Sequence, residues 1–362
     1  MIRKMYSDKD VVTTARQRIK NTFNSAKKIV LSVSGGKDSI CLNDLIFKMC
    51  QSGEIDKSKL EICFIDEEAI YPCIERIVKN MRLQWLSLGV EFKWYCIQVK
   101  HYCCLNQLSQ DESFICWDET KKDVWIRQRP AFAITKDPLL NERHETYQSF
   151  LNKKYRGYVA ILGVRASESV QRLFSLANRE AQDKIFPIYD WADTDIWNYI
   201  YYNGLDMPEA YMYMYQVGIP ANKMRISQFF SIDTIGSLVK MCEFYPNLYD
   251  KICKREPNAY MAMLYFDTEL FRRQKKNTQA KSDEEIDYKA KFYEMIKEDW
   301  RFESKSMQMV KKQIERLLLK YGQFLEQKEY KMLNQIIIGG DPKRRTLRSL
   351  EINLYAKVSR WR

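Results

Sequence analysis

The sequence predicts an α/β protein: a mostly parallel sheet covered by helices, with a largely helical C-terminal extension. Three observations carry this. Short apolar, β-branched runs alternate with segments of helical periodicity through the first hundred residues. A further run of the same kind, Tyr158 to Gly163, follows a less regular stretch. From about Ser231 the strand signals fade and helical patterns take over.

The first strand is Lys28 to Ser34, whose run ends at two glycines and reads as buried. From Asp38 the apolar positions Ile40, Leu45, Ile46 and Met49 take helical spacing. Leu60 to Asp66 is the second strand. Pro72 to Leu88 is the next helix, with Ile74, Ile77, Val78, Met81 and Trp85 on one stripe, Pro72 in its first turn and Gly89 as its cap. Val90 to Val99 is the third strand, residues 101–157 are irregular, and Tyr158 to Gly163 is the fourth strand. Asp193 to Tyr202 is a helix with an acidic first turn. Lys275 to Asp287 is polar, an exposed connection, and Val310 to Ile338 carries long amphipathic stretches. The expected division is a phosphate-loop domain at residues 1–225 and a helical, basic region at 226–362.

With 46% hydrophobic and 29% charged residues, the 362-residue chain has the composition of a folded domain and not of a disordered one. No apolar run reaches the length of a transmembrane helix, and the N-terminus has no apolar segment behind its basic residues, so the expected setting is the cytoplasm, away from membranes. Ten cysteines without a Cys-x-x-Cys pair, in a chain with no secretory signal, are expected to stay reduced. A net charge of +12 suits nucleotide phosphates or nucleic acid, and equally a generally basic protein.

Ser34-Gly35-Gly36-Lys37-Asp38-Ser39 stands between the first strand and the following helix. Gly35 and Gly36 let backbone approach a ligand closely, the helix offers unpaired N–H groups and a positive dipole end, Lys37 adds a point charge, and Ser34 and Ser39 add hydroxyls. It is not the Walker loop, since Asp38 follows the lysine.

These six residues resemble the PP-loop of the ATP pyrophosphatases, in the branch of the phosphoadenosine phosphosulfate (PAPS) reductases. Three more stretches agree in order: Phe64-Ile-Asp66-Glu67 with Pro72, then Gly163-Val-Arg165-Ala-Ser-Glu168-Ser169-Val-Gln-Arg172, then Phe186-Pro187-Ile188 through Trp191 with Asp195-Ile196-Trp197. The resemblance spans roughly residues 25 to 220 and implies a Rossmann-like adenine nucleotide alpha-hydrolase fold that binds ATP or a PAPS-like nucleotide. It implies nucleotide contacts from Ser34, Gly35, Gly36, Lys37, Asp38, Ser39, Asp66, Gly163, Arg165 and Arg172, catalytic roles for Lys37, Asp38 and Arg165, and Mg²⁺ on Asp38 and Asp66. Chemically, Arg165 and Arg172 suit bidentate contacts to phosphate or sulfate, with an ion pair to Glu168 as the alternative. Asp66 at a strand end suits a Mg²⁺ ligand or a strand-end cap equally. Trp191 and Trp197 read as core packing. Lys223 to Phe230, Glu243 to Asn247 and Lys254 to Asn258 look like the extension of a subgroup that includes the immunoglobulin-binding regulator A proteins of enteric bacteria and prophages, typically encoded beside a ParB/sulfiredoxin-like protein.

The chain departs from a reductase in one respect. The family's thiolate stands in a Glu-Cys-Gly-x-His-like motif near the C-terminus, whereas here no cysteine follows Cys253, and His101 and His144 lie upstream. An iron–sulfur cluster on Cys103, Cys104 and Cys116 with Cys96 or Cys73 is not expected, because no pair has ligand spacing. Three functions stay open: adenylyl transfer or sulfonucleotide cleavage with a ParB/sulfiredoxin-like partner, a nucleotide sensor without catalysis, and nucleic-acid contact through Pro342 to Arg348 and Ser359 to Arg362.

Overall fold

The computed structural model describes residues 10–106, 113–166, 183–221, 224–226, 229–231, 234–265, 287–339 and 345–359. The chain divides into two compact units: Met1–His101 with Ile115–Phe229 and Asp233–Glu256, and Tyr102–Phe114 with Phe230–Ile232 and Pro257–Arg362.

The first unit opens with helix α1 (Val11–Ser25), capped by the Asp10 carboxylate, which accepts the Thr13 N–H. Strand β1 (Ile29–Val33) leads into α2 (Lys37–Gln51), β2 (Leu60–Ile65) into α3 (Pro72–Ser87), and β3 (Phe92–Tyr95) follows. After α4 (Tyr147–Lys154) come β4 (Val159–Leu162), β5 (Lys184–Ile185), α5 (Asp193–Tyr202) and α6 (Ala210–Gln216). Helices α7 (Ile235–Lys240) and α8 (Pro246–Arg255) complete this unit. Each expected strand and helix here has its counterpart, the third strand shortened to four residues.

The five strands pair in the order β3-β2-β1-β4-β5, all parallel. Register places Ile29 beside Leu60 on one side and Val159 on the other, so β1 is central. That is why β1 and β2 are almost wholly buried and read as continuous apolar runs. The chain winds outward from β1 to β3 and then returns to the far side of β1 as β4. The strand order therefore reverses between β1 and β4, and the carboxyl ends of those two strands are where sheets of this type open a crevice.

Contacts across elements fix the helices. The Trp85 indole N–H on α3 donates to the Asn43 side-chain oxygen on α2 at 2.7 Å, both residues buried. Arg18 on α1 clasps both Asp190 oxygens at 2.7 Å. The chain leaves α3 through Gly89, whose φ of +74° suits a residue without Cβ. Trp191 is buried, as its reading as core requires; Trp197 is half-buried and packs edge-on to Tyr211.

In the second unit, α9 (Asn258–Tyr265) is followed by α10 (Tyr288–Lys297), α11 (Lys305–Tyr321), α12 (Gln327–Gly339) and α13 (Arg345–Ser359). Phe292, Val310, Ile314, Leu333, Leu350 and Leu354 form its core, at helical spacing along each segment. The expected boundary at 225/226 falls inside the first unit, whose last helix ends at Arg255. A contact distant in sequence holds that helix there, since the Arg255 guanidinium is buried against Glu68. The polar connection at 275–287 lies almost wholly outside the described residues. No described helix is long and apolar enough to cross a membrane.

Candidate phosphate-binding site

The loop of residues 34–39 leaves the carboxyl end of β1 and turns directly into α2. Gly35 has φ +72°, and a Cβ there would stand 2.8 Å from Ile74 Cγ2 and 2.9 Å from Val78 Cγ2 on α3, so only glycine fits. Ser39 holds the turn closed: its hydroxyl accepts the Ser34 N–H at 2.9 Å. Gly36 is the N-cap of α2, and no side chain caps the helix there. A helix start without an N-cap side chain presents its remaining first-turn donors and a positive dipole end to an anion.

Lys37 is 6% exposed. Its ammonium lies 3.5 Å from Asp38 Oδ2, longer than the roughly 2.7–2.9 Å of a charge-assisted hydrogen bond. Its backbone N–H donates to the Tyr211 hydroxyl at 3.2 Å, and its ammonium stands over the Tyr211 ring, 5.6 Å from the centroid.

Gly163 and Arg165 come to this loop from the end of β4. A Cβ on Gly163 would lie 3.3 Å from the Asp38 carbonyl group and from the Ser39 nitrogen, so its lack of a side chain lets β4 close on the first turn of α2. Arg165 is only 1% exposed. Its Nε donates to Asp38 Oδ1 at 2.6 Å, its Nη2 to Asp193 Oδ1 at 2.8 Å, and its Nη1 lies 3.4 Å from the Trp191 carbonyl oxygen. Burial works against the charge, but Asp38 and Asp193 outweigh it and hold the guanidinium above its ordinary value. Arg165, expected to face phosphate, is thus committed to two carboxylates in this structure. Its charge is balanced, which leaves Lys37 as the cation of the loop not held at hydrogen-bond length by a carboxylate among the described residues. Arg172 and Glu168 lie outside the described residues.

Asp66 does not present a free carboxylate. It is fully buried: Oδ1 accepts the Glu68 N–H at 3.0 Å and pairs with Arg127, and Oδ2 accepts the Trp94 indole N–H at 2.9 Å. The Mg²⁺ role expected for Asp66 does not fit, because both of its oxygens are engaged, whereas Asp38 gives only Oδ1 to Arg165 and its Oδ2 lies 3.5 Å from the Lys37 ammonium. Among the described residues no three His, Cys, Asp or Glu side chains gather as a metal site.

A second polar network surrounds Asp66, and sequence reasoning missed most of it. Arg127 joins Asp66 to Glu75, the latter at 2.8 Å. Glu68, fully buried with φ +66°, accepts the Trp117 N–H at 2.7 Å and the Arg255 Nε at 2.9 Å. Its partners lie about 50 and 190 residues away in the chain, separations at which no sequence pattern registers. Tyr211 was missed too. Of the basic tail, Pro342 to Arg344 and residues 360–362 lie outside the described residues.

The model of the phosphoadenosine phosphosulfate reductase domain matches residues 28–218, which contain the whole loop, the sheet and α5. The chain belongs to the phosphoadenosine phosphosulfate reductase domain family. Through it the chain joins the PP-loop adenine-nucleotide proteins, whose Rossmann-like sheet it shares. A relative is the uncharacterized protein YbdN of Escherichia coli (strain K12), 30% identical over 284 residues, covering 71% of this chain and 68% of that protein. Solved structures with some likeness include a PAPS reductase from Candida auris in a phosphate complex (12% identity, 58% of this chain and 93% of that one, TM-score 0.33). Another is the NH3-dependent NAD synthetase of Campylobacter jejuni (13% identity, 69% and 94%, TM-score 0.29). At these scores neither adds to the assignment. What membership supplies to the geometry is the ligand class, an adenine nucleotide.

Proposed function

We propose that this chain is an enzyme acting at the α-phosphate of an adenine nucleotide, by adenylyl transfer from ATP or by cleavage of a sulfonucleotide. The observation that carries the reading is the placement of Lys37: buried, bound to no carboxylate at hydrogen-bond length among the described residues, and in the first turn of α2 at the β1/β4 reversal. In the adenylyl reaction an acceptor atom forms a bond to the α-phosphorus while the bond to the bridging oxygen of pyrophosphate breaks, and the electron pair leaves with pyrophosphate. Lys37 and the loop amides would hold the charge that develops. Asp38, oriented by Arg165, fixes the first turn of α2, and Asp193 orients Arg165 in turn.

Reduction by a protein thiolate has no support in the described residues. Cys41 is the loop's neighbour on α2, yet its thiol is buried and donates to the Ile196 carbonyl, and burial, with Asp38 and Asp44, pushes it well above the ordinary thiol range. The acceptor would then come from elsewhere, and a ParB/sulfiredoxin-like protein in the cytoplasm is the partner the subgroup resemblance suggests.

A second reading is a nucleotide sensor without catalysis, and the burial of Cys41, the thiol beside the loop, favours it. Incubation with ATP or PAPS and Mg²⁺, followed by product analysis, separates the two. The enzyme reading expects pyrophosphate release from ATP, or adenosine 3′,5′-bisphosphate release from PAPS, that Lys37→Ala abolishes. Stoichiometric binding with no product over long incubation, with and without the partner, would leave the sensor.

A further inference from the structure

Tyr211 stands against the loop with a hydroxyl whose hydrogen bonding is half complete. The side chain is 5% exposed and packs edge-on against Trp197 at 5.6 Å. Its oxygen accepts the Lys37 N–H at 3.2 Å and would lie 3.4 Å from a Cβ placed on Gly36, so it sits on the face of the phosphate loop itself. A phenol offers one proton as well as lone pairs. Among the described residues that proton meets no acceptor, although leaving a buried donor unsatisfied is costly. Burial, the largest influence on it, keeps the phenol protonated far above the ordinary pH range. A buried donor, locked in place by a loop amide and lacking an acceptor, is complementary to an oxyanion.

We propose that Tyr211 completes the anion cradle, accepting the Lys37 N–H and donating its own proton to a phosphoryl oxygen of the nucleotide bound at residues 34–39. This rests on the reading of the loop as a phosphate site. The donor set at the loop is then the first-turn amides of α2 beyond Lys37, the Lys37 ammonium and the Tyr211 O–H. The phenol makes no covalent step; it is a binding residue that selects for an anion over a neutral group. Helix α6 delivers it, and the Tyr-Met-Tyr-Met-Tyr run at 211–215 gives no hint that its first tyrosine alone of the three faces the loop.

The test is calorimetric titration of pyrophosphate, ATP and adenosine into wild type, Lys37→Ala, Tyr211→Phe and protein carrying 3-fluorotyrosine at position 211, all in the full chain. Losing a hydrogen bond to a charged group should weaken pyrophosphate and ATP in Tyr211→Phe by roughly tenfold and leave adenosine unchanged. Fluorination makes the hydroxyl a stronger donor and a weaker acceptor, so the fluorinated protein should bind pyrophosphate more tightly than wild type. A merely structural tyrosine, needed only to accept the Lys37 N–H, would give weaker binding there, and that result would overturn the proposal. Binding lost in Lys37→Ala but unchanged in Tyr211→Phe would overturn the role of Tyr211 and leave the loop assignment standing. No pyrophosphate or ATP binding by wild type would overturn both.

Discussion

The Arg165 guanidinium and the Asp38 carboxylate meet at 2.6 Å, joining the segment after β4 to the first turn of α2 where the strand order reverses. Asp193 holds the other edge of the same guanidinium. The arrangement fixes the carboxylate that follows the loop lysine and removes the arginine's charge from competition with Lys37 for an anion.

The pair should behave as one unit. Asp38→Asn and Arg165→Met should each cost about 1–3 kcal/mol, because each leaves a buried charge short of its partner. A double-mutant cycle by denaturant unfolding should return a coupling of about 1–3 kcal/mol. Additive effects would show that the two do not interact in solution. Loss of phosphate affinity in Arg165→Met that Asp38→Asn does not share would return Arg165 to anion contact.

Two glycines should fail in different ways. Gly35→Ala meets both a left-handed φ and contacts under 3 Å with α3, so it should lower stability by about 1–3 kcal/mol. Gly163→Ala meets only 3.3 Å contacts with the backbone of Asp38 and Ser39. It should fold, displace the first turn of α2, and weaken nucleotide binding several-fold. Unchanged affinity in Gly163→Ala would mean that the loop does not need this contact.

Acid should weaken the Arg127 junction through Glu75. Burial acts to raise the Glu75 carboxyl, but Arg127 and Lys79 outweigh it and hold it below the ordinary glutamate range. A depressed carboxyl contributes stability that is complete above its unfolded value, about 4.3, and is lost as pH falls through the folded one. Glu75→Gln should therefore be less stable than wild type by about 1 kcal/mol at neutral pH and converge with it below that window. A gap that persists at low pH would contradict the pairing.

Thiol chemistry should be confined to two positions. Eight of the ten cysteines are buried, and Cys242 and Cys253 are half-buried. Burial pushes Cys50 and Cys63 up to about 12, and Cys116 well above the ordinary thiol range. A thiol reagent at neutral pH should modify at most Cys242 and Cys253 in the native chain, and the rest only on unfolding. Rapid labelling of Cys41 would revive a thiolate at the loop.

Much of the first unit was legible because its determinants are local. The β1 and β2 runs, the glycines of the loop, Pro72 and Gly89 around α3, and the acidic start of α5 each declare themselves within a few residues. Helix α1 was not legible: it is polar on most of its surface and is secured by Arg18 on Asp190, far away in sequence. The site was legible as a loop and illegible as an electrostatic arrangement. Lys37, Asp38, Gly163 and Arg165 do converge, but that Arg165 serves Asp38, that Asp66 is enclosed by Arg127 and Trp94, and that Tyr211 faces Lys37 depend on tertiary placement. A charged residue in a motif has a type and a spacing in the sequence; which partner neutralises it is settled only when the sheet closes.

The central claim is that residues 34–39 hold the phosphates of an adenine nucleotide through Lys37 and the start of α2. Calorimetric titration of ATP and of PAPS, each with Mg²⁺, into wild type and Lys37→Ala tests it most directly. Saturable binding of at least one nucleotide by wild type, weakened at least tenfold or abolished in a Lys37→Ala protein that is otherwise folded, is the expected result. Equal affinity in the two proteins, or no binding by wild type, would contradict it.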